Sequence, residues 1–472
     1  MNARVWALGF VGCGLAGAAC SSKSSSGFGG DAGFAHASSS SSSIGFTVGS
    51  NGSTTVSSVP TLNTTGQTTS SVVSSYVPDG GGCVVTDPNT DMDKDGWTPA
   101  QGDCNDCNPN VNPGAIDVLI SSPDGGPPVW GDEDCSGVAG DSAKPCDQGL
   151  TLADVDPNDA AKAIELCQTA TMTDRKYGVI SAQYVRANGV PFASGSPGLQ
   201  VGIEPSWGPN VNVQAGANML VLSSGAARVV GQPGACGGTT SSSSAISCEY
   251  NATGTPPKGF PEDDPDCPPT PLIADDVALQ VQVRVPTNAS GFSFNFKFHS
   301  FEFPDWVCAP NGYNDQFVAL VTPPPTGSYV PAGSSAGNIS FDMNHHPVSV
   351  NIGYFDVCDG NKTRFASHCT SGSGFTCPTP PSPYCPLGVA QLMGTGFDTW
   401  YYKGAAGATR WLESQAPAAP GTIITILFAI WDAGNGEYDS TVLIDNFQWN
   451  ATAGVTTPTP VVVMTQPLMQ PK

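Results

Sequence analysis

The sequence predicts a mainly β protein: an antiparallel β-sandwich of jelly-roll or lectin-like type, preceded by a small disulfide-rich metal-binding module built on an Asp loop. Three observations lead there. From about residue 147 to 450 apolar residues recur at alternate positions, the period of a strand with one buried face. Glycine at 56 positions and proline at 42 break these runs with turns, which favours short strands over long helices. Between Cys83 and Cys146, Asp91, Asp93 and Asp95 lead a string of oxygen donors interleaved with cysteines.

In chain order, residues 1–20 read as a secretion signal. Asn2 and Arg4 precede an apolar, small-residue run from Val5 to Ala19, shorter than the ~18 to 20 apolar residues of a membrane-spanning helix. Gly17-Ala18-Ala19-Cys20 resembles a bacterial lipobox, with Leu15 two positions upstream of the usual leucine and Cys13 a poorer competitor. Lipidation at Cys20 is expected ahead of simple export. Residues 21–82, dominated by Ser, Thr and Gly, cannot bury a core and are expected to form a flexible tether. The stretch 453–472, rich in Thr, Pro and Val, is expected to be a loose tail.

Residues 83–146 form the expected metal-binding module. D-x-D-x-D-G places Asp91, Asp93 and Asp95 at alternate positions of a loop, and Gly96 permits the turn that folds them around one hard cation. Position twelve is Gly102 where an EF-hand has a bidentate Glu, and no amphipathic helix flanks the loop. Further ligands are expected from Asp103, Asp106, Asn108, Asp117, Asp132 and Asp134. The order D-x-D-x-D-G, D-C-x-D-x-N-P, P-G-A-x-D, D-x-D-C-x-G resembles the metal-binding motif of the MopE type in secreted bacterial proteins. That family's label implies copper. None of the histidines at 36, 299, 345, 346 and 368 lies in the segment, so Ca2+ is expected ahead of copper if the cysteines are oxidised. The alternatives are zinc on Cys104-x-x-Cys107 and a solvated acidic turn.

Sixteen cysteines in an exported chain read as disulfides. With Cys13 and Cys20 assigned to the signal and anchor, the rest fall into three groups: 83, 104, 107, 135, 146 and 167; 236, 248, 267 and 308; 358, 369, 377 and 385. Pairing within groups is expected, without a fixed connectivity.

Residues 147–452 are expected to be the sandwich. Val277, Leu279, Val281, Val283 and Val285 alternate with polar neighbours, and Phe292, Phe294, Phe296 and Phe298 repeat the pattern beyond a short turn, predicting a hairpin. A phase slip at Ser300 predicts a bulge that carries the alternation to Phe301 and Phe303. Further strands are predicted at 177–185, 218–223, 316–321, 348–355, 423–431 and 440–449. One helix is predicted, with Asp156 as N-cap, Pro157 in the first turn and Ala160, Ile164 and Cys167 on one face. The stretches 231–272 and 358–390, full of Cys, Pro, Ser and Gly, read as disulfide-pinned surface loops.

The whole region is similar to the choice-of-anchor L domain of exported bacterial proteins. The matching residues include 159–164, 201–203, 208–210, Met219-Leu-Val-Leu-Ser-Ser-Gly225, Asn314-Asp-Gln-Phe-Val-Ala-Leu-Val321, Asn338-Ile-Ser-Phe-Asp342, Phe428-Ala-Ile-Trp-Asp432 and Asp439-Ser-Thr-Val-Leu-Ile-Asp-Asn-Phe447. The resemblance implies a surface protein reached through one of several anchors, with no agreed activity.

Forty acidic against seventeen basic residues give a net charge of −23, which argues against nucleic acid as a partner. No G-x-S-x-G, H-E-x-x-H or phosphate-cradling glycine loop is present, so the expectation is not an enzyme. His345-His346 and Glu262-Asp263-Asp264 read as solvated loops. Asp432, Asp439 and Asp445, flanking a Gly-Asn turn, are a possible second metal set, with turn capping as the alternative. Aromatics near Asn311–Asp315 and Trp400–Tyr402 either stack on sugars or belong to the core. The expected role is a calcium-binding, non-enzymatic outer-membrane or cell-surface lipoprotein for adhesion to an extracellular protein or glycan. The alternatives are a carbohydrate-binding lectin-like module and a secreted hydrolase.

Overall fold

The computed structural model describes residues 83–122, 124–235, 252–263, 267–351, 354–359, 385–398, 406–451 and 462–463. The expected signal with Cys20, the tether, Asp264, Trp400–Tyr402, Cys236, Cys248, Cys369, Cys377 and most of the tail lie outside them. Two short strands, β1 (Leu119–Ile120) and β2 (Val129–Trp130), pair within the acid-rich segment. The remaining strands are β3 (Gly178–Val185), β4 (Val201–Glu204), β5 (Met219–Ser223), β6 (Ile273–Arg284), β7 (Gly291–Ser300), β8 (Gln316–Thr322), β9 (Gly337–Asn338), β10 (Val348–Ser349), β11 (Gly407–Ala408), β12 (Leu412–Pro417), β13 (Ile423–Ala433), β14 (Ser440–Asn450) and β15 (Val462–Val463). They form two antiparallel sheets. One runs β10-β8-β13-β6-β3 with β9 beside β8; the other runs β15-β12-β7-β14-β5-β4 with β11 beside β7. The predicted antiparallel β-sandwich is the fold.

The alternation marks the buried face correctly. Val277, Leu279, Val281 and Val283 of β6 and Phe292, Phe294, Phe296 and Phe298 of β7 are all fully buried in one core. Burying each such side chain contributes about 1.5–3 kcal/mol. The predicted hairpin is not what joins them. β6 pairs with β13 and β3, while β7 pairs with β14 and β12, so the chain crosses from one sheet to the other between Val285 and Gly291. Alternation reports which face is buried and not which strand lies alongside, and a hairpin and an arch share the same parity. The β7 row faces the opposite sheet: Phe294 meets Phe428 of β13 at 5.0 Å, edge-on, and Phe296 meets Phe317 of β8 at 4.9 Å. β13 and β14 likewise lie in opposite sheets.

Other expectations need correction. No bulge follows Ser300; β7 ends there, Phe301 joins a second cluster on the outer face with Trp207 and Phe397, and Phe303 returns to the main core. Register shifts occur instead at Val179/Ser181, Ile430/Asp432 and Asp445/Gln448. Of the strand expected over 348–355, only Val348–Ser349 is seen among the described residues. The helix α1 (Pro157–Lys162) has Asp156 as its cap, accepting the Asn158 N–H at 2.8 Å. It stops short of Cys167 because Glu165 takes a left-handed φ of 68°, which no helix continues.

Five disulfides are described, each within its predicted group: Cys83–Cys107, Cys104–Cys135, Cys146–Cys167, Cys267–Cys308 and Cys358–Cys385. The acid-rich segment docks on the sandwich. Asn288, in the β6–β7 crossing, accepts from Ile116 N–H at 2.9 Å and donates to Ile116 C=O at 2.8 Å. Thr287 N–H donates to Gly114 C=O at 2.9 Å; a Cβ on Gly114 would sit 2.9 Å from the Thr287 methyl, so only glycine allows this approach. Arg175 lies 4.3 Å over the Trp97 ring and donates to Gln101 at 2.9 Å and to the Gly96 carbonyl.

Candidate metal centre

Gly96, at φ 95°, closes the Asp loop as its spacing predicts. Asp91 accepts the N–H groups of Lys94 at 2.6 Å and Gly96 at 3.0 Å, which wraps the chain around its own carboxylate. Asp93 holds the Asp95 N–H at 3.2 Å, and Asp95 holds the Trp97 N–H at 2.7 Å. The bridges Cys83–Cys107 and Cys104–Cys135 then bring the second half of the segment alongside. Asp103 accepts from Asn105 N–H at 2.8 Å, and Asp106 reaches back to Met92 N–H at 2.9 Å.

Asp91 is anchored through both of its oxygens, and Asp93, Asp95, Asp103 and Asp106 each through one. The Oδ2 atoms of Asp93, Asp103 and Asp106 are buried and meet no hydrogen-bond donor, and the three carboxylates offer oxygens within 4.8 Å of one another. Asp91, Asp93 and Asp95 form an overlapping set of the same size. Asp103 and Asp106 are only 6% and 2% exposed, so bulk solvent barely reaches them. Burial, reinforced by the neighbouring carboxylates, pushes Asp93 up to about 6 and Asp103 up to about 7. Among the described residues, no ion pair involves any of the five acids. Buried carboxylates left without donor or counter-charge are costly unless a cation joins them.

The other predicted ligands divide. Asp117 and Asp134 gather with Asp141, which the sequence reading had missed. Their geometry is already explained by the backbone: Asp117 accepts from Glu133, Asp134 and Ser142 N–H groups, and Asp134 from Ser136. Asp132 caps the Gly137 N–H and Asn108 the Asn110 N–H, both as turn residues. The zinc alternative fails, because Cys104 and Cys107 belong to different disulfides and offer no thiolate.

Asp432, Asp439 and Asp445 do not converge as one set. Asp432 lies with Glu302 and Asp315, all fully buried. Asp445 is bound to the N–H groups of Gln214 and Ala215 beside Glu165. His345 packs on Tyr329 at 5.6 Å and Phe341 at 5.1 Å, while His346 faces Asp342. Glu262 and Asp263 are not simply solvated: Glu262 accepts from the Tyr329 hydroxyl at 2.6 Å, and Asp263 ties Thr270 at 2.6 and 2.8 Å. Tyr313 packs edge-on against Trp306 at 4.9 Å.

Beside the metal segment a cleft of about 350 Å³ opens at its junction with the sandwich, lined by Asp117, Trp130, Glu165, Tyr177, Asn446 and Trp449. Burial, then the Asp445 charge, pushes Glu165 up to about 9, and Asp445 is raised as well, which favours a proton held by the pair. Sequence reasoning missed this cleft because its walls come from segments more than 300 residues apart in the chain.

Comparison with known proteins yields no relative: no family model matches the chain, and neither does any curated protein or solved structure. No helix among the described residues is long and apolar enough to cross a membrane.

Proposed function

We propose that this chain is an exported, calcium-binding surface lipoprotein, non-enzymatic, that binds an extracellular protein or glycan and serves adhesion. The observation that carries the calcium reading is the trio of donorless, buried oxygens on Asp93, Asp103 and Asp106, flanked by Asp91 and Asp95. All donors there are oxygen, which suits a hard cation of calcium's size better than copper or zinc. The cleft supports a binding role: Trp130 and Trp449 offer apolar faces beside carboxyl groups, a combination that suits a sugar ring. A hydrolase would require an acid and a base free to act. In the Glu165–Asp445 pair, Glu165 Oε2 instead holds the Asn446 N–H and Asp445 the N–H groups of Gln214 and Ala215, the arrangement of a loop anchor.

Elemental analysis of purified protein tests the reading, combined with limited proteolysis and a glycan array run with and without chelator. Calcium is expected in the native chain, and chelation is expected to open residues 83–146 to protease while the sandwich resists. An ion-free chain whose protease pattern ignores chelator defeats it.

A further inference from the structure

The core between the two sheets ends in acids. The inward row Phe292, Phe294, Phe296, Phe298 of β7 runs out at Ser300, and Glu302 lies two residues beyond the strand's end. On β13 the row Ile424, Ile426, Phe428, Ile430 continues to Asp432, reached across the register shift after Ile430. On β8 the row Val321, Ala319, Phe317 continues backwards to Asp315. All three are 0% exposed, and each offers an oxygen within 4.8 Å of the others.

Their donors fall short. Asp315 accepts from Ala433 N–H at 2.7 Å and from the Ser440 hydroxyl, and Asp432 accepts from Gly436 N–H at 3.1 Å. The Glu302 Oε1 and Asp432 Oδ2 atoms are buried and meet no donor at all. No lysine or arginine pairs with any of the three among the described ion pairs. Three buried acids facing one point, two of them with a free oxygen, form a concentration of negative charge that hydrogen bonds do not neutralise.

We infer that Glu302, Asp315 and Asp432 form a second, wholly internal site for a hard divalent cation of the calcium class, one that clamps the two sheets together at the end of the core. β7 belongs to one sheet, and β8 and β13 to the other, so a shared ion replaces sheet-to-sheet repulsion with a bridge. Ligands come from oxygen alone, with the Ser440 hydroxyl adjacent. The competing account is a shared proton, since burial and mutual repulsion also raise the affinity of these acids for protons.

A full chain carrying Asp93→Asn, Asp103→Asn and Asp134→Asn disables the acid-rich segment and separates the two accounts. Stripped with chelator and dialysed against calcium, this chain is expected to take up a single calcium equivalent, with an unfolding midpoint several degrees higher in calcium than in chelator. Adding Glu302→Gln and Asp432→Asn is expected to abolish both. Asp432→Asn alone serves if the double change prevents folding, judged by near-ultraviolet circular dichroism. A first variant that neither binds calcium nor gains stability from it overturns the site, since its buried acids are intact. So does binding that survives undiminished in a folded chain with Asp432 neutralised.

Discussion

Glu165 and Asn446 show how single residues are bent to a local purpose. Both are non-glycine residues in the left-handed region, at φ 68° and 56°, and the Asn446 N–H donates to Glu165 Oε2 at 2.7 Å. Such backbone costs of order 1–3 kcal/mol each and persists only where surroundings impose it. Here the carboxyl pair with Asp445 does so. The pair carries a pH signature. Burial and the Asp445 charge hold Glu165 near 9 against an ordinary 4.5, so the folded state keeps a proton that the unfolded chain releases. The stability it provides is complete below about 4.5 and is lost as pH rises towards 9. Glu165→Gln is therefore expected to flatten the fall in chemical-denaturation stability across that window. A variant with the native pH slope would show that Glu165 titrates normally.

Strands and crosslinks set the next level. In the acid-rich segment β1 and β2 are two residues each, too little for a core, so covalent bridges hold the ligand halves together. Cys104–Cys135 spans 31 residues of chain, a loop whose closure limits the unfolded ensemble by about 3–4 kcal/mol. Replacing both cysteines with serine is expected to lower the segment's calcium affinity at least tenfold in calorimetric titration while leaving the sandwich's unfolding midpoint unchanged. Unaltered affinity would mean that the Asp loop is preorganised without the bridge. In the sandwich, by contrast, the inner rows of β6 and β7, in opposite sheets, supply much of the core, and no crosslink joins them.

Across the molecule, the acid-rich segment and the sandwich meet at the β6–β7 crossing, where Thr287 and Asn288 hold Gly114 and Ile116, and Arg175 covers Trp97. Ile116 of this junction also lines the cleft. Asn288→Ala removes two hydrogen bonds and leaves the Ile116 amide and carbonyl without their partner, at a cost of about 1–3 kcal/mol. The expected outcome is faster proteolysis within residues 83–146 at fixed calcium, with the sandwich fragment intact. Equal cleavage rates would show that the Asn288 bonds are not what keeps the segment docked.

Alternating Val and Phe rows, the Asp156 cap and the D-x-D-x-D-G loop were readable along the chain because each rests on neighbours within a few residues. Asp93, Asp95, Asp103 and Asp106 were nameable for the same reason, their spacing being local. The face-to-face crossing of β6 and β7, the gathering of Glu302 with Asp315 and Asp432, and the parting of Asp445 from Asp432 emerged only on folding. Parity along a strand says which side is buried; the company a buried acid keeps depends on which sheet closes over it, and that is settled by contacts between residues more than a hundred positions apart.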